Sequence, residues 1–258
     1  MSVLYPRPHL NWTRFKAVPY FGVRWSLEDA EETYYRLLKG CLDFVVAAVL
    51  LVLTAPLILA LGVLVKLTSP GPVFYSQVRL GRGGRPFRIY KLRTMRHDCE
   101  RESGPRWATR NDPRVTPLCR FLRLSHLDEL PQLWNIRRGD MSLVGSRPER
   151  PEFVRNLERH IPLYAERLRV RPGVTGLAQV HLPPDTDLDS VRRKMAYDYF
   201  YTRQTSIWLD VRLILVTALQ VLGVPFWVSR RLLFVPNAER IEPVYESRLE
   251  IELPAVAV

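Results

Sequence analysis

The 258-residue chain has little from which to build a disulfide scaffold or a metal knuckle. Its three cysteines, Cys41, Cys99 and Cys119, are widely spaced and form no C-x-x-C pair. That argues against a disulfide framework and is compatible with a reducing compartment. Its five histidines, His9, His97, His126, His160 and His181, are scattered and make no H-E-x-x-H, so a histidine-built metal site is not expected. Acidic residues are in the minority, with 26 Asp and Glu against 38 Lys and Arg and a net charge of +12. The surplus calls for an anionic partner: nucleic acid, anionic lipid headgroups or a phosphorylated substrate. Helix-turn-helix, zinc-finger and RNA-binding aromatic motifs are all lacking, so no nucleic acid partner is expected. The first forty residues are broken up by charge and proline, and the apolar stretch behind them starts too late and runs too long for the core of a signal peptide; none is expected.

Charge is missing altogether from Phe44 to Val65, FVVAAVLLVLTAPLILALGVLV. At about 1.5 Å per residue that run could cross a hydrocarbon core of about 30 Å, and Leu, Val and Ala on every face leave no polar stripe for water. Pro56 sits in its middle. Proline removes a backbone donor and crowds the carbonyl one turn back, so a kink or break is expected there, with Thr54 able to bond a nearby carbonyl. A kinked spanning helix and two half-helices on one membrane face both fit. Arg36 and Lys39 before the run, and Lys66 and Arg79 after it, make both ends look cytoplasmic and favour the second shape. A second apolar stretch, Ile214 to Val228, is shorter, contains Gln220, Gly223 and Pro225, and ends in Arg230 and Arg231; it reads as an interfacial helix with a Trp and Arg anchor. Asn11 to Trp25 interleaves aromatic and basic residues in the same style.

In the polar remainder, VFYSQVRL and PFRIYKLRTM around Gly81-Arg82-Gly83-Gly84 predict a β-hairpin. The glycine cluster lacks the Lys-Ser/Thr ending of a P-loop and is turn chemistry. Glu100 to Pro117 predicts a loop. In RFLRLSHLDELPQLWNI, Ser125 followed by Asp128 predicts a helix start, with Pro131 in the first turn and Asp128 and Glu129 at the N-terminus. Lys91, Arg93, Arg123 and Arg147 surround this acidic pair in sequence. Guanidinium groups suit a pyrophosphate. Adjacent carboxylates suit Mg²⁺ shared with phosphate, and a carboxylate can itself attack phosphorus.

With these motifs in order, the chain resembles the bacterial sugar transferases, the monotopic polyprenyl-phosphate phosphoglycosyl transferases, from about Leu38 to Leu222. LLKGCLDFVVAAVL, SPGPVFYSQVRLG, FRIYKLRTM, LDELPQLWNIRRGDMSLVGSRP, RVRPGVTGLAQV and YDYFYTRQTSIWLDVRLILVTALQV carry the likeness. The resemblance implies a re-entrant helix-break-helix at Thr54 and Pro56, with the active site on the cytoplasmic face of the bacterial inner membrane. It implies that Asp128 attacks the β-phosphate of a UDP-sugar, UMP leaves, and a polyprenyl (undecaprenyl) phosphate takes the phosphosugar, as the initiating step of surface polysaccharide synthesis. Glu129 would help Asp128 hold Mg²⁺ or handle charge. Lys91, Arg93, Arg123 and Arg147 would bind substrate, with Asp198 a further acidic site residue, while Asp210 reads as a helix-start acid. A membrane-tethered scaffold that keeps the fold without the activity is the alternative. Departures fall at Gly145-Ser146-Arg147-Pro148, where the family commonly has Gly-Pro-Arg-Pro; at His126, which replaces a small residue; and at the loop from His181, expected to touch sugar or nucleotide.

The expected architecture is α/β (α+β): a re-entrant membrane segment, a small hairpin sheet and surrounding amphipathic helices. The expected divisions are an N-terminal extension (1–37), the membrane helix (38–67), a catalytic domain with interfacial helices (68–228) and a C-terminal tail (229–258).

Overall fold

The computed structural model describes residues 27–96, 99 and 112–252 of the chain. The aromatic–basic segment Asn11 to Trp25 and most of the proline-broken loop Glu100 to Pro117 lie outside the described residues. The fold is a mixed helical one with two small two-stranded sheets and one long apolar helix near the N-terminus.

That helix, α1, spans Leu27–Thr68. It starts earlier than the apolar run requires and is unbroken through Pro56, where the sequence favours an interruption. Pro56 offers no N–H to the Val52 carbonyl, and the Thr54 hydroxyl donates to Leu50 O at 2.7 Å, a local bond of the expected kind. Lys66 lies in the last turn, where a cation suits the helix dipole. The two ends of the apolar run pack on the folded body. Ala47 joins Ile89, Leu133, Ile136 and Met141, while Leu61 and Val65 join Leu92 and Leu122. Between them Val52 and Leu53 are 74% and 69% exposed, which a soluble core helix would not tolerate.

Strands β1 (Phe74–Leu80) and β2 (Pro86–Leu92) form the predicted antiparallel hairpin, with Phe74 opposite Leu92 and Leu80 opposite Pro86. Gly83 and Gly84 take φ of 67° and 72° in its turn, a region that side chains disfavour. The expected helix start at Ser125 is corrected. Ser125 instead caps the C-terminal end of α2 (Pro117–Leu124), its hydroxyl donating back to Phe121 O at 2.8 Å. His126 then takes a left-handed conformation, φ 56°, and Leu127–Glu129 make a single 3₁₀ turn before α3 (Gln132–Arg137), with Pro131 as N-cap. The same Ser-x-x-Asp letters serve a helix end because α2 already occupies the residues before them.

Beyond α3, β3 (Ser142–Val144) pairs in parallel with β4 (Gly173–Thr175). Around them lie α4 (Pro151–His160), α5 (Leu177–His181), α6 (Leu188–Arg203), α7 (Ile207–Val221), α8 (Phe226–Leu232) and α9 (Ala238–Glu252). Val154, Leu157, Leu177, Met195, Leu213 and Ile241 contribute to one main core. Helix starts are secured locally: Asp187 and Ser190 form a capping box for α6, and Ser206 accepts from Leu209 N at α7. The Ile214 to Val228 stretch is divided, since α7 stops before Gly223 (φ 85°) and α8 begins after Pro225. The tail after Ser229 folds back, burying Ile241 and Tyr245, with the Tyr245 hydroxyl donating to Pro162 O at 2.8 Å.

Polar ties hold α1 to this body. Asp43 Oδ1 accepts from Leu143 N of β3 at 3.1 Å. Asp210, 5% exposed, accepts from Lys39 Nζ at 2.6 Å, the Tyr35 hydroxyl at 2.9 Å and the Tyr201 hydroxyl at 2.6 Å. Asp210 is thus more than a helix-start acid. Truncating one member of a buried ion pair strands the other charge, so Asp210→Ala is expected to destabilise the protein by about 3–5 kcal/mol. The double variant Lys39→Met/Asp210→Ala should lose less than the sum of the two single losses, as read from denaturant unfolding in detergent.

Candidate active site

The acidic pair is carried on the short turn between α2 and α3. Leu127 packs beside the cluster of Val65, Leu92 and Leu122, and Leu130 beside that of Ala47, Ile89 and Leu133. Two apolar anchors therefore pin the turn from either side. Asp128 and Glu129 between them are only 6% and 7% exposed.

The two neighbours differ sharply. Glu129 Oε1 accepts from Lys91 Nζ of β2 at 2.5 Å and from Arg147 Nη2 at 2.8 Å. Burial works against its ionisation, but Arg147 and Lys91 together hold the carboxyl well below the usual carboxylate range. Among the described residues, no hydrogen bond or ion pair ends on Asp128. Burial pushes its carboxyl up; Lys91 pulls it down, Glu129 pushes it up and Arg123 pulls it down again, with a net upward shift. Burial likewise lowers the Lys91 ammonium, against the pull of Glu129. Lys91, Arg123 and Arg147 thus set three cations against two carboxylates, a balance that favours an anionic guest. Arg147 keeps its side chain 40% exposed, so its fork faces both Glu129 and the outside.

Arg147 sits on a loop pinned by backbone contact. A Cβ on Gly145 would lie 2.2 Å from Arg171 O, one on Gly173 would lie 2.1 Å from Gly145 N, and one on Gly176 would lie 2.0 Å from Gly145 O; only glycine permits this approach. Where the family commonly has proline, the Ser146 hydroxyl donates to Arg167 O at 3.1 Å, and Arg167 Nη2 returns a bond to Arg147 O at 2.9 Å. Behind this clasp lies a buried charge network that sequence reading missed. Arg167, 2% exposed, pairs with Asp198 Oδ2 at 2.9 Å and donates to the Tyr164 hydroxyl at 2.6 Å. Lys194 donates to Glu149 Oε1 at 2.8 Å and to Asp185 Oδ2 at 2.6 Å.

Of the residues singled out from sequence, Asp128, Glu129, Lys91, Arg123 and Arg147 come together. Arg93 and Asp198 have their charged groups engaged elsewhere. Arg93, 4% exposed, donates to Pro70 O at 2.5 Å and Ser69 O at 2.6 Å, tying the end of β2 to the end of α1. Asp198 stands behind the Arg147 loop, in the network just described. The His181 ring is also engaged internally, 2.8 Å from Leu177 O and 2.9 Å from Pro236 O, against Tyr197 and Phe226. Sequence signals for the glycine contacts lay in RVRPGVTG; the ion pairs had none.

Among the described residues, no group of three or more acidic, histidine or cysteine side chains is placed to hold a metal ion, so they offer no all-protein metal cage. The Asp128 carboxylate fits a different mode, in which Mg²⁺ takes one or two carboxylates and completes its shell with water and substrate phosphate. Glu129 Oε1 is already occupied by two cationic donors.

The sequence model of the family described as "Bacterial sugar transferase" matches residues 34–224. A UDP-N-acetylgalactosamine-undecaprenyl-phosphate N-acetylgalactosaminephosphotransferase of Aeromonas hydrophila is 43% identical over 188 residues, 73% of this chain and 44% of that protein. UDP-glucose:undecaprenyl-phosphate glucose-1-phosphate transferases of Xanthomonas campestris pv. campestris and Caulobacter vibrioides are 41% and 48% identical, over 80% and 69% of this chain and 43% and 67% of their own lengths. The chain spans less than half the length of the first two.

Burial opposes ionisation of Glu149, but Lys194, Arg167 and Arg79 outweigh it and hold the carboxyl at about 2 against an ordinary 4.5. A depressed carboxylate stabilises the fold above its unfolded pKa and loses that contribution as pH falls through the folded value. About 3 kcal/mol should therefore disappear between pH 5 and 2. Glu149→Gln should be less stable at pH 7 and show a flatter acid limb in unfolding free energy against pH.

Proposed function

The chain belongs to the bacterial sugar transferase family, and from that membership we propose that it moves a sugar 1-phosphate from a UDP-sugar to undecaprenyl phosphate, beginning the assembly of a surface glycan. The observation that carries this reading is the unequal acidic pair: one carboxylate locked by two cations, its neighbour buried but unengaged, inside a cluster of positive charge.

Asp128 is the nucleophile. One of its carboxylate oxygens forms a bond to the β-phosphorus of the UDP-sugar, and the bond from that phosphorus to the bridging oxygen breaks. The electron pair leaves on UMP, and the phosphosugar stays on Asp128 as an acyl phosphate. A phosphate oxygen of undecaprenyl phosphate then bonds to the same phosphorus, the acyl–phosphate bond breaks, and the Asp128 carboxylate is regenerated with undecaprenyl diphosphosugar as product. Asp128 is the residue that would hold Mg²⁺, which would supply charge neutralisation for the substrate phosphates. Arg147 and Arg123 steady the phosphate oxygens from the protein side. Glu129 keeps Lys91 and Arg147 in place, and Asp198 acts through Arg167 on the Arg147 loop. Arg93 belongs to the frame.

The membrane helix is re-entrant in this reading, with the active site on the cytoplasmic face. A straight α1 would separate Ala47 from Val65 by about 27 Å. Yet their clusters contain Ile89 and Leu92, which lie about 10 Å apart along one strand. A bend near Pro56 reconciles these spacings, and the cationic flanks on both sides agree with it. An isoprenoid acceptor that stays in the bilayer then meets a soluble nucleotide sugar at headgroup level.

The sugar is the open variable, since relatives' names carry both glucose and N-acetylgalactosamine. UMP release by nanodisc-held protein, with Mg²⁺, undecaprenyl phosphate and a panel of UDP-sugars, tests the reading and names the sugar. Asp128→Ala should lose activity by on the order of 10⁴-fold or more, together with any phosphosugar adduct seen by intact-protein mass spectrometry. Release of UDP would overturn the proposed chemistry. Normal turnover by Asp128→Ala would remove Asp128 from it, and silence of the folded wild-type protein would favour an inert scaffold.

A further inference from the structure

Strand β1 turns one face toward the acidic pair. Side chains alternate along a strand, and those of directly paired residues lie on the same side. Tyr75, Gln77 and Arg79 therefore share a face of the hairpin with their partners Lys91, Ile89 and Phe87. That face is the inner one. Ile89 is 3% exposed in a cluster with Ala47, Leu133 and Met141, and Phe87 packs against it. Three rows result: Tyr75 with Lys91, Gln77 with Ile89, and Arg79 with Phe87.

The two outer rows are both tied to the site. Lys91 and Arg147 donate to the same Glu129 oxygen, and Arg79 Nη1 donates at 3.1 Å to the carbonyl of Pro148, the residue after Arg147. Burial draws the Arg79 guanidinium below its usual range; Glu149 pulls it up, and the neighbouring Arg147 charge pushes it down again. Gln77 stands in the middle row, between the strand positions that reach Glu129 and Pro148.

Its carboxamide is the exception on this face. Gln77 is partly buried, yet among the described residues no hydrogen bond reaches its side chain. The amide of Asn135, also beside the hairpin, is fully spent: it is buried, accepts from Tyr90 N at 3.1 Å and donates to Arg88 O at 2.7 Å. A carboxamide offers both donors and an acceptor, and one left idle beside a substrate site is placed to recognise a ligand. Tyr75, 42% exposed, adds an aromatic face in the next row.

The cations of the site suit the phosphates of a nucleotide sugar. What they leave unread is uncharged: a base and a pyranose, each a ring whose edge sets a hydrogen-bond donor beside an acceptor. A carboxamide matches such an edge, and an aromatic side chain offers a flat face to the ring. We propose that Gln77, flanked by Tyr75, forms a subsite for an uncharged ring of the donor, its carboxamide pairing with the edge of the uracil or of the sugar. This subsite rests on the UDP-sugar reading given above.

The test is steady-state UMP release by full-length protein in nanodiscs, with UDP-glucose and UDP-N-acetylgalactosamine as donors and UDP as a sugar-free inhibitor. Gln77→Met removes the polar atoms at similar length. It should raise KM for the donor roughly tenfold while kcat stays within about twofold, the pattern of lost ground-state binding. Ser76→Ala, on the other face of β1 and paired with Tyr90, should leave both constants unchanged. An equal weakening of UDP inhibition assigns the uracil edge. Unchanged UDP inhibition, with a shifted preference between the two donors, assigns the sugar. Wild-type KM and donor preference in Gln77→Met, or in the shortened amide Gln77→Asn should the first variant not fold, overturns the subsite and leaves the proposed reaction standing. Wild-type protein that neither releases UMP nor binds UDP removes the subsite together with that reaction.

Discussion

One oxygen atom organises the site. Glu129 Oε1 receives Lys91 from the hairpin and Arg147 from the loop after β3, while Glu129 itself stands on the turn between α2 and α3. Three chain segments are thereby held together by a carboxylate almost sealed from water. Such a junction is unforgiving, because removing Glu129 strands the Lys91 ammonium and removing both cations strands a buried carboxylate. It also frees Asp128 from structural duty. Adjacent acids in one pocket are driven apart in proton affinity by what surrounds each, and here the division follows from which of them the cations reach.

The Arg147 loop shows how position is secured where proline is absent. Three glycines let backbones touch, and the Ser146–Arg167 exchange of hydrogen bonds closes the loop from behind. Arg167 draws Asp198, Tyr164 and Glu149 into the same support. Charges that would contribute little on a surface become positioning elements once buried together.

Features set by local chemistry were legible in the sequence. The hairpin follows from alternating side chains around glycines that take positive φ, and α1 follows from the missing charge. Ser125 misled because a serine three residues before an acid serves either helix end, and the choice depends on which neighbours are already helical. Glu129 could not be distinguished from Asp128 in one dimension, because Lys91 and Arg147 lie 38 and 18 residues away in sequence. Arg93 and Asp198 read as substrate ligands from their places in motifs, while the fold turns both charged groups toward protein partners. The tail after Ser229 carries no motif, yet Ile241 is fully buried, a fact fixed by tertiary packing.

The bond from Leu143 N to Asp43 joins the long apolar helix α1 to the strand that leads straight into the Arg147 loop. Tyr201 adds a second stitch, its hydroxyl reaching both Val144 O and Asp210. The long apolar helix and the Arg147 loop therefore share hydrogen bonds, so α1 is no interchangeable appendage. A version of this protein released into water by cutting away its hydrophobic helix would also lose part of the frame that aims Arg147. The long apolar helix is thus part of the architecture of the site, whatever else it contacts.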